Sequence, residues 1–147
     1  MISIEKNTKL QIDTTYNSWG VQAQYLDYAT EIANENNLNT VTAAVVDTGC
    51  DTSLVNKYYS NKISSVYDVL TNSTSTITDV NGHGTHIVGT IAEATPSNVK
   101  IMPIRVSEDG DMYISDVITA LNYITYYNKA DVVNMSFGTY TRSDAFE

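Results

Sequence analysis

The 147 residues, 42% of them apolar, suffice for one compact domain and are too few for two ordinary ones. Seventeen acidic against eight basic residues leave a net charge of −9, which leaves no basic patch for nucleic acid or an anionic membrane surface. Cys50 is the single cysteine, so an internal disulfide and a thiolate zinc cluster are excluded. No apolar run approaches the ~18 residues of a membrane span.

Residues 1–16 are polar and aperiodic, without a signal-like apolar core, and read as an N-terminal arm. The spacing of Val21, Tyr25, Ala29 and Ile32/Ala33 predicts a first helix over 19–36. VTAAVV at 41–46, closed by Asp47 and Gly49, reads as a strand buried on both faces. SVYDVL at 65–70 is a weaker strand candidate. Residues 82–94 carry Ile87, Val88 and Ile91 with Gly84 and Gly89, which predicts a helix packed close to its neighbours. VKIMPIRV at 99–106 is a strand complicated by Pro103. An apolar stripe of Ile114, Val117, Ile118, Leu121 and Ile124 predicts a helix over 113–128, and DVVNMSF at 131–137, with Gly138 behind it, a further strand. Strand, helix, strand, helix, strand in this order implies an α/β fold with parallel pairing and right-handed crossovers. In such sheets chemistry gathers at the carboxyl ends of strands, where Asp47 and the segment 136–138 fall.

A carboxylate ending a buried strand needs a partner. The chain has two histidines, His83 and His86, both within NGHGTHIVGT, and either can serve. An aspartate bonded to one imidazole nitrogen fixes the tautomer and leaves the other nitrogen to take a proton from a nucleophile.

At these residues the chain resembles the subtilisin-like serine peptidases. VVDTGCD is similar to their aspartate motif, NGHGTHIVGTIA to their histidine motif, and VVNMSFG to the strand lining their substrate cleft; the order Asp then His agrees as well. The resemblance runs from about residue 19 to 138. It implies a three-layer α/β/α fold, present here in part, with residues 1–147 as a single partial domain. It implies catalytic roles for Asp47 and His83 and leaves His86 structural. Ser136, Phe137 and Gly138 would pair with an extended peptide or protein substrate by strand addition, Phe137 favouring an apolar side chain, while Gly110 lies near the other substrate-pairing segment. The family also suggests an extracellular protein.

The chain departs from the pattern in carrying no Gly-Thr-Ser nucleophile motif, and the oxyanion asparagine of the family would lie further on. The missing C-terminal half of the domain is therefore an expected partner, and the 147 residues alone are expected to be inactive. The loop after the histidine helix is cut to TPSN, so no metal or other cofactor is placed in this chain; calcium is left to a full-length parent. A non-catalytic peptide-binding fragment or pseudoenzyme is the first alternative. An aspartic peptidase is the second, since VVDTG alone fits one, although that fold is all-β and leaves HGTH unexplained. Cys50 reads as a small buried hydrophobe, and the eleven tyrosines as packing residues.

Overall fold

Along β1 (Val41–Asp47) successive side chains point to opposite faces, and both faces find a helix. The computed structural model describes Gly20, residues 23–36 and residues 38–138. The expected arm, with Trp19 and Val21 of the expected first helix, lies outside the described residues. The elements that follow are α1 (Leu26–Glu35), β1, α2 (Thr52–Tyr58), β2 (Tyr67–Asp68), α3 (His83–Ala94), β3 (Val99–Arg105), α4 (Ile114–Tyr127) and β4 (Val132–Asn134). Every pair in the sheet is parallel and the order is β2-β3-β1-β4, the α/β architecture expected.

Ala44 and Val46 of β1 join Met102 and Ile104 of β3 and Val117, Ala120 and Ile124 of α4 in one core cluster. Val45 and Ile101, on the other face, pack with Cys50, Val55 of α2 and Val88 and Ala92 of α3. Helices therefore cover both faces, and this double burial is why β1 is an unbroken apolar run. Burying each Val or Ile of these clusters contributes on the order of 1.5–3 kcal/mol.

Pro103 is accommodated by a gap in pairing. Ile101 donates its N–H to the Lys62 carbonyl and accepts from Ser64, and Arg105 accepts from Val69. Alternate residues of a parallel strand turn the same way, so Pro103 faces the stretch between Ile63, bridged to Ile101, and Tyr67, paired with Ile104. Its missing N–H falls where no ladder bond is made.

Four elements differ from expectation. The expected first helix is interrupted: Gly20 and Ala23 are helical, but Gln24 and Tyr25 form a turn, Tyr25 with a left-handed backbone at φ 56, and α1 runs from Leu26. Of the stripe meant to pack it, Ala33 is buried while Tyr25, Ala29 and Ile32 are exposed. The β2 candidate shrinks to two residues: the Asp68 carboxylate accepts the amides of Leu70 and Thr71, and Asp68 pairs with Ser73, so the chain turns away. The last strand pairs only over Val132–Asn134, against Ala43, Ala44 and Val45. Beyond it the exposed Ser136 hydroxyl donates to Asn134 Oδ1 at 2.9 Å. The short α2 was unforeseen; its Asp51 cap accepts the Leu54 amide, a signal present in DTS before LV.

The C-terminal end of α3 is held by a lysine. Lys62 Nζ, largely buried, donates to the Thr95 carbonyl at 2.7 Å, the Thr95 hydroxyl at 3.0 Å and the Pro96 carbonyl at 2.7 Å, satisfying carbonyls that a helix end leaves open. Burial, with the neighbouring Lys100 charge, pulls the ammonium down from its ordinary 10.5 to about 8. The folded chain therefore releases this proton before the unfolded chain does, and stability gains as pH rises from about 8 to 10.5. Urea unfolding across that interval should show the gain in the unaltered chain and its loss in Lys62→Met.

Candidate active site

β1 ends on Asp47, whose side chain is fully buried, and α3 begins with His83, whose side chain is 46% exposed; His83 Nδ1 lies 2.8 Å from Asp47 Oδ1. The Thr48 amide donates to the same oxygen at 2.7 Å. A carboxylate oxygen accepts, so Nδ1 carries the hydrogen and Nε2 is left with a free lone pair directed outward from the pair. Asp47 Oδ2 finds no hydrogen-bond partner among the described residues.

Two glycines permit this approach. A Cβ on Gly84 would run into the Gly49 carbonyl, and one on Gly49, itself at φ +116, into the Thr78 carbonyl. Gly82 supplies the left-handed residue, φ 94, that turns the chain into α3. The close packing expected from Gly84 is thus a contact between the first turn of α3 and the loop after β1.

A second carboxylate, which the sequence reading did not single out, ties the two segments together. Asp79 Oδ1 accepts from the Thr48 hydroxyl at 2.9 Å and the Gly82 amide at 2.8 Å. Its Oδ2 accepts from the Thr85 amide at 2.8 Å and the Thr85 hydroxyl at 2.6 Å. Thr48 Oγ1 in turn accepts from the Gly84 amide at 3.0 Å. Burial would raise Asp79, but the bonds from Thr85, Gly82 and Thr48 outweigh it and hold the carboxyl below the ordinary carboxylate value. The only hint in the sequence was an acidic residue shortly before Gly82, as at a helix N-terminus.

Arg105 was also missed. It stands in register with Asp47 on the same face of the sheet, pairs with the buried Asp68 at 3.1 Å, and reaches Glu108 at 3.6 Å. Removing one partner of such a buried pair costs about 3–5 kcal/mol.

The structure brings one further expected residue to the pair. Gly110, φ 108, sits in a turn where its amide donates to Ser107 Oγ, and a Cβ there would lie 3.3 Å from Asn81 Nδ2. Asn81 donates that amide to the Asp109 carbonyl at 2.7 Å and accepts from the His83 amide at 3.2 Å. The loop carrying Gly110 is therefore pinned to the turn that delivers His83. Ser136, Phe137 and Gly138 follow β4, two strand positions from β3; Ser136 and Gly138 are exposed and the Phe137 ring packs partly buried against the α4-side core. His86 is exposed on α3. Among the described residues no three His, Cys, Asp or Glu side chains cluster as a metal site.

Burial, with the Asp79 and Asp51 carboxylates, pushes the Cys50 thiol up to about 12, far from the thiolate that nucleophilic or metal chemistry needs.

The subtilase family model matches residues 39–146, and the chain belongs to that family. It is 39% identical over 103 residues to the extracellular serine proteinase of Thermus sp. (strain Rt41A), covering 67% of this chain and 24% of that protein. To the major intracellular serine protease of Bacillus subtilis (strain 168) it is 33% identical over 111 residues, 67% of this chain and 34% of the relative. A third relative, the thermophilic serine proteinase of Bacillus sp. (strain AK1), is 30% identical over 138 residues, 86% of this chain and 33% of its own length. The chain thus spans about a quarter to a third of the length of these relatives, which include both an extracellular and an intracellular protein by name. The all-β fold of an aspartic peptidase is excluded by the parallel sheet and its helices.

Gly84→Ala should cost about 1–3 kcal/mol in urea unfolding, because backbone rather than a flexible side chain meets the added methyl. Cys50 should resist iodoacetamide at pH 8 in the folded chain and react fully in urea, which intact mass reads directly.

Proposed function

We propose that these residues supply the aspartate and histidine of a serine endopeptidase that hydrolyses peptide bonds by acyl transfer, completed by polypeptide beyond the 147 residues. The observation that carries this reading is the 2.8 Å contact between the exposed imidazole of His83 and the buried carboxylate of Asp47, in a chain of the subtilase family. His83 Nε2 takes the proton of the attacking serine hydroxyl and returns it to the leaving amine, while Asp47 holds the ring in the tautomer that frees Nε2. Donors that stabilise the oxyanion come from the completing half.

An extended substrate lies along Ser136, Phe137 and Gly138, with the Gly110 loop opposite. Among the described residues β4 pairs only with β1 and exposes Val132 and Met135; an open strand edge of this kind favours a neighbouring strand, and the C-terminal half is the partner assigned to it. The parent is read as an exported enzyme, with calcium, where it is used, bound by the longer protein.

A fluorophosphonate probe tests this on the natural protein and on the 147-residue chain, with intact mass read in parallel. The natural species should be heavier than 16.2 kDa and be labelled, and the 147-residue chain should not. His83→Ala in the longer protein should slow labelling by roughly 10³-fold or more, since members of a triad act as a unit. A natural species of 16.2 kDa that takes no label overturns the reading and makes the protein a peptide-binding pseudoenzyme. Labelling of the 147-residue chain overturns the assignment of the nucleophile to the other half.

A further inference from the structure

The contact between His83 and Asp47 is one hydrogen bond, and the imidazole that makes it is nearly half exposed, 46%, so packing does not hold the ring. What holds the separation of the two residues is the backbone on either side of each. On the aspartate side, Thr48 donates its amide to Asp47 Oδ1 and its hydroxyl to Asp79 Oδ1. On the histidine side, Gly82 and Thr85 donate their amides to Asp79, and the Gly84 amide donates to the same Thr48 hydroxyl oxygen. His83 thus lies between two residues whose amides are fixed, one on Asp79 and one on Thr48.

We propose that Asp79 is the positioning residue of the Asp47–His83 pair, its carboxylate spanning from Thr48 to the first turn of α3 and setting the distance across which the imidazole bonds Asp47. The proposal deepens the peptidase reading and rests on it for its functional meaning. Capping alone does not account for the arrangement. A capping carboxylate needs only the amides of the first helical turn, and Asp79 already has those of Gly82 and Thr85. The bond to Thr48 reaches another element, the end of β1, and adds nothing to the helix. Its effect is to join the residue after Asp47 to the residue before His83 through one charged group, which the bonds of Thr85, Gly82 and Thr48 keep ionised. Charge-assisted bonds of this kind are short and directional, as a fixed spacer requires.

The test is nuclear magnetic resonance of the 147-residue chain labelled with 15N at histidine. There are two histidines, so His83 is read and His86, on the same helix, is the internal reference. The unaltered chain should show a low-field, hydrogen-bonded Nδ1–H signal for His83 and the nitrogen shifts of the Nδ1–H tautomer. Asp79→Asn and Thr48→Val should lose that signal and shift His83 toward the Nε2–H tautomer, with His86 unmoved. Thr48→Ser, which keeps the hydroxyl, should retain it. Survival of the signal in either Asp79→Asn or Thr48→Val overturns the proposal, as does an equal loss in Thr48→Ser. Should Asp79→Asn unfold the chain, seen as collapse of both histidine signals, Thr48→Val decides, because it breaks the Thr48 bonds to Asp79 and from Gly84 and leaves Asp79 on the Gly82 and Thr85 amides. Absence of the signal from the unaltered chain would instead defeat the pairing of Asp47 with His83, a failure distinct from that of Asp79.

Discussion

Burying the carboxylate of Asp47 at the end of β1 is the constraint on which the rest of the structure depends. A lone ionised carboxylate out of water costs several kcal/mol, and this one is fully buried. Its compensation comes from outside its own strand: the Thr48 amide and the His83 imidazole. Because His83 belongs to α3, which packs over the face of the sheet shared by Val45 and Ile101, Asp47 Oδ1 gains its imidazole partner only when that layer is seated. Folding of the core and assembly of the site are therefore the same event.

That coupling explains the density of small and hydroxylic residues between 47 and 51 and between 78 and 85. Bulk is excluded there by Gly49 and Gly84, whose backbones meet, and the polar groups that close contact would strand are paired instead. The Thr85 hydroxyl donates to Asp79 and accepts the Asp51 amide, so the cap of α2 belongs to the same network. One carboxylate, Asp79, thereby organises the starts of two helices and the end of a strand. On the far side of β3 the Arg105–Asp68 pair repeats the pattern, its carboxylate accepting the Leu70 and Thr71 amides of a turn. β1 and β2 are thus each finished by a buried carboxylate with backbone donors.

The parts of the fold legible in the sequence were those that hydrophobic burial decides. β1, β3 and α4 were read to within one or two residues, since an unbroken apolar run or a long apolar stripe admits few alternatives. Asp47 was legible because a strand-end carboxylate demands a partner, which left His83 and His86 as candidates; the choice of His83 came from the resemblance of NGHGTHIVGTIA to the histidine motif of the family. What escaped was decided by polar groups acting locally. Asp68 cut short β2, a segment whose apolar letters promised a longer strand. Asp79 escaped because its importance lies in bonding Thr48, thirty-one positions away, a relation that no periodicity records. The first helix differed in another way: it forms over Leu26–Glu35, but Tyr25 took a left-handed backbone and, of the stripe, Ala33 is buried while Tyr25, Ala29 and Ile32 are exposed.

The glycines of α3 show how the chain trades stability for geometry. Gly in a helix interior costs on the order of 1 kcal/mol against Ala, and α3 carries Gly84 and Gly89 among its buried residues. At Gly84 the cost is offset by contact: only a residue without a Cβ lets the first turn of α3 lie on the Gly49 backbone, and only at that separation can the Gly84 amide reach Thr48 Oγ1 at 3.0 Å and the imidazole reach Asp47 at 2.8 Å. An alanine would make a better helix and a worse site, since the methyl would push the His83 turn off the end of β1. The weak helical letter at position 84 marks where the Asp47 and His83 side chains meet, and the ring of bonds through Asp79 and Thr48 returns the rigidity that the glycines give up.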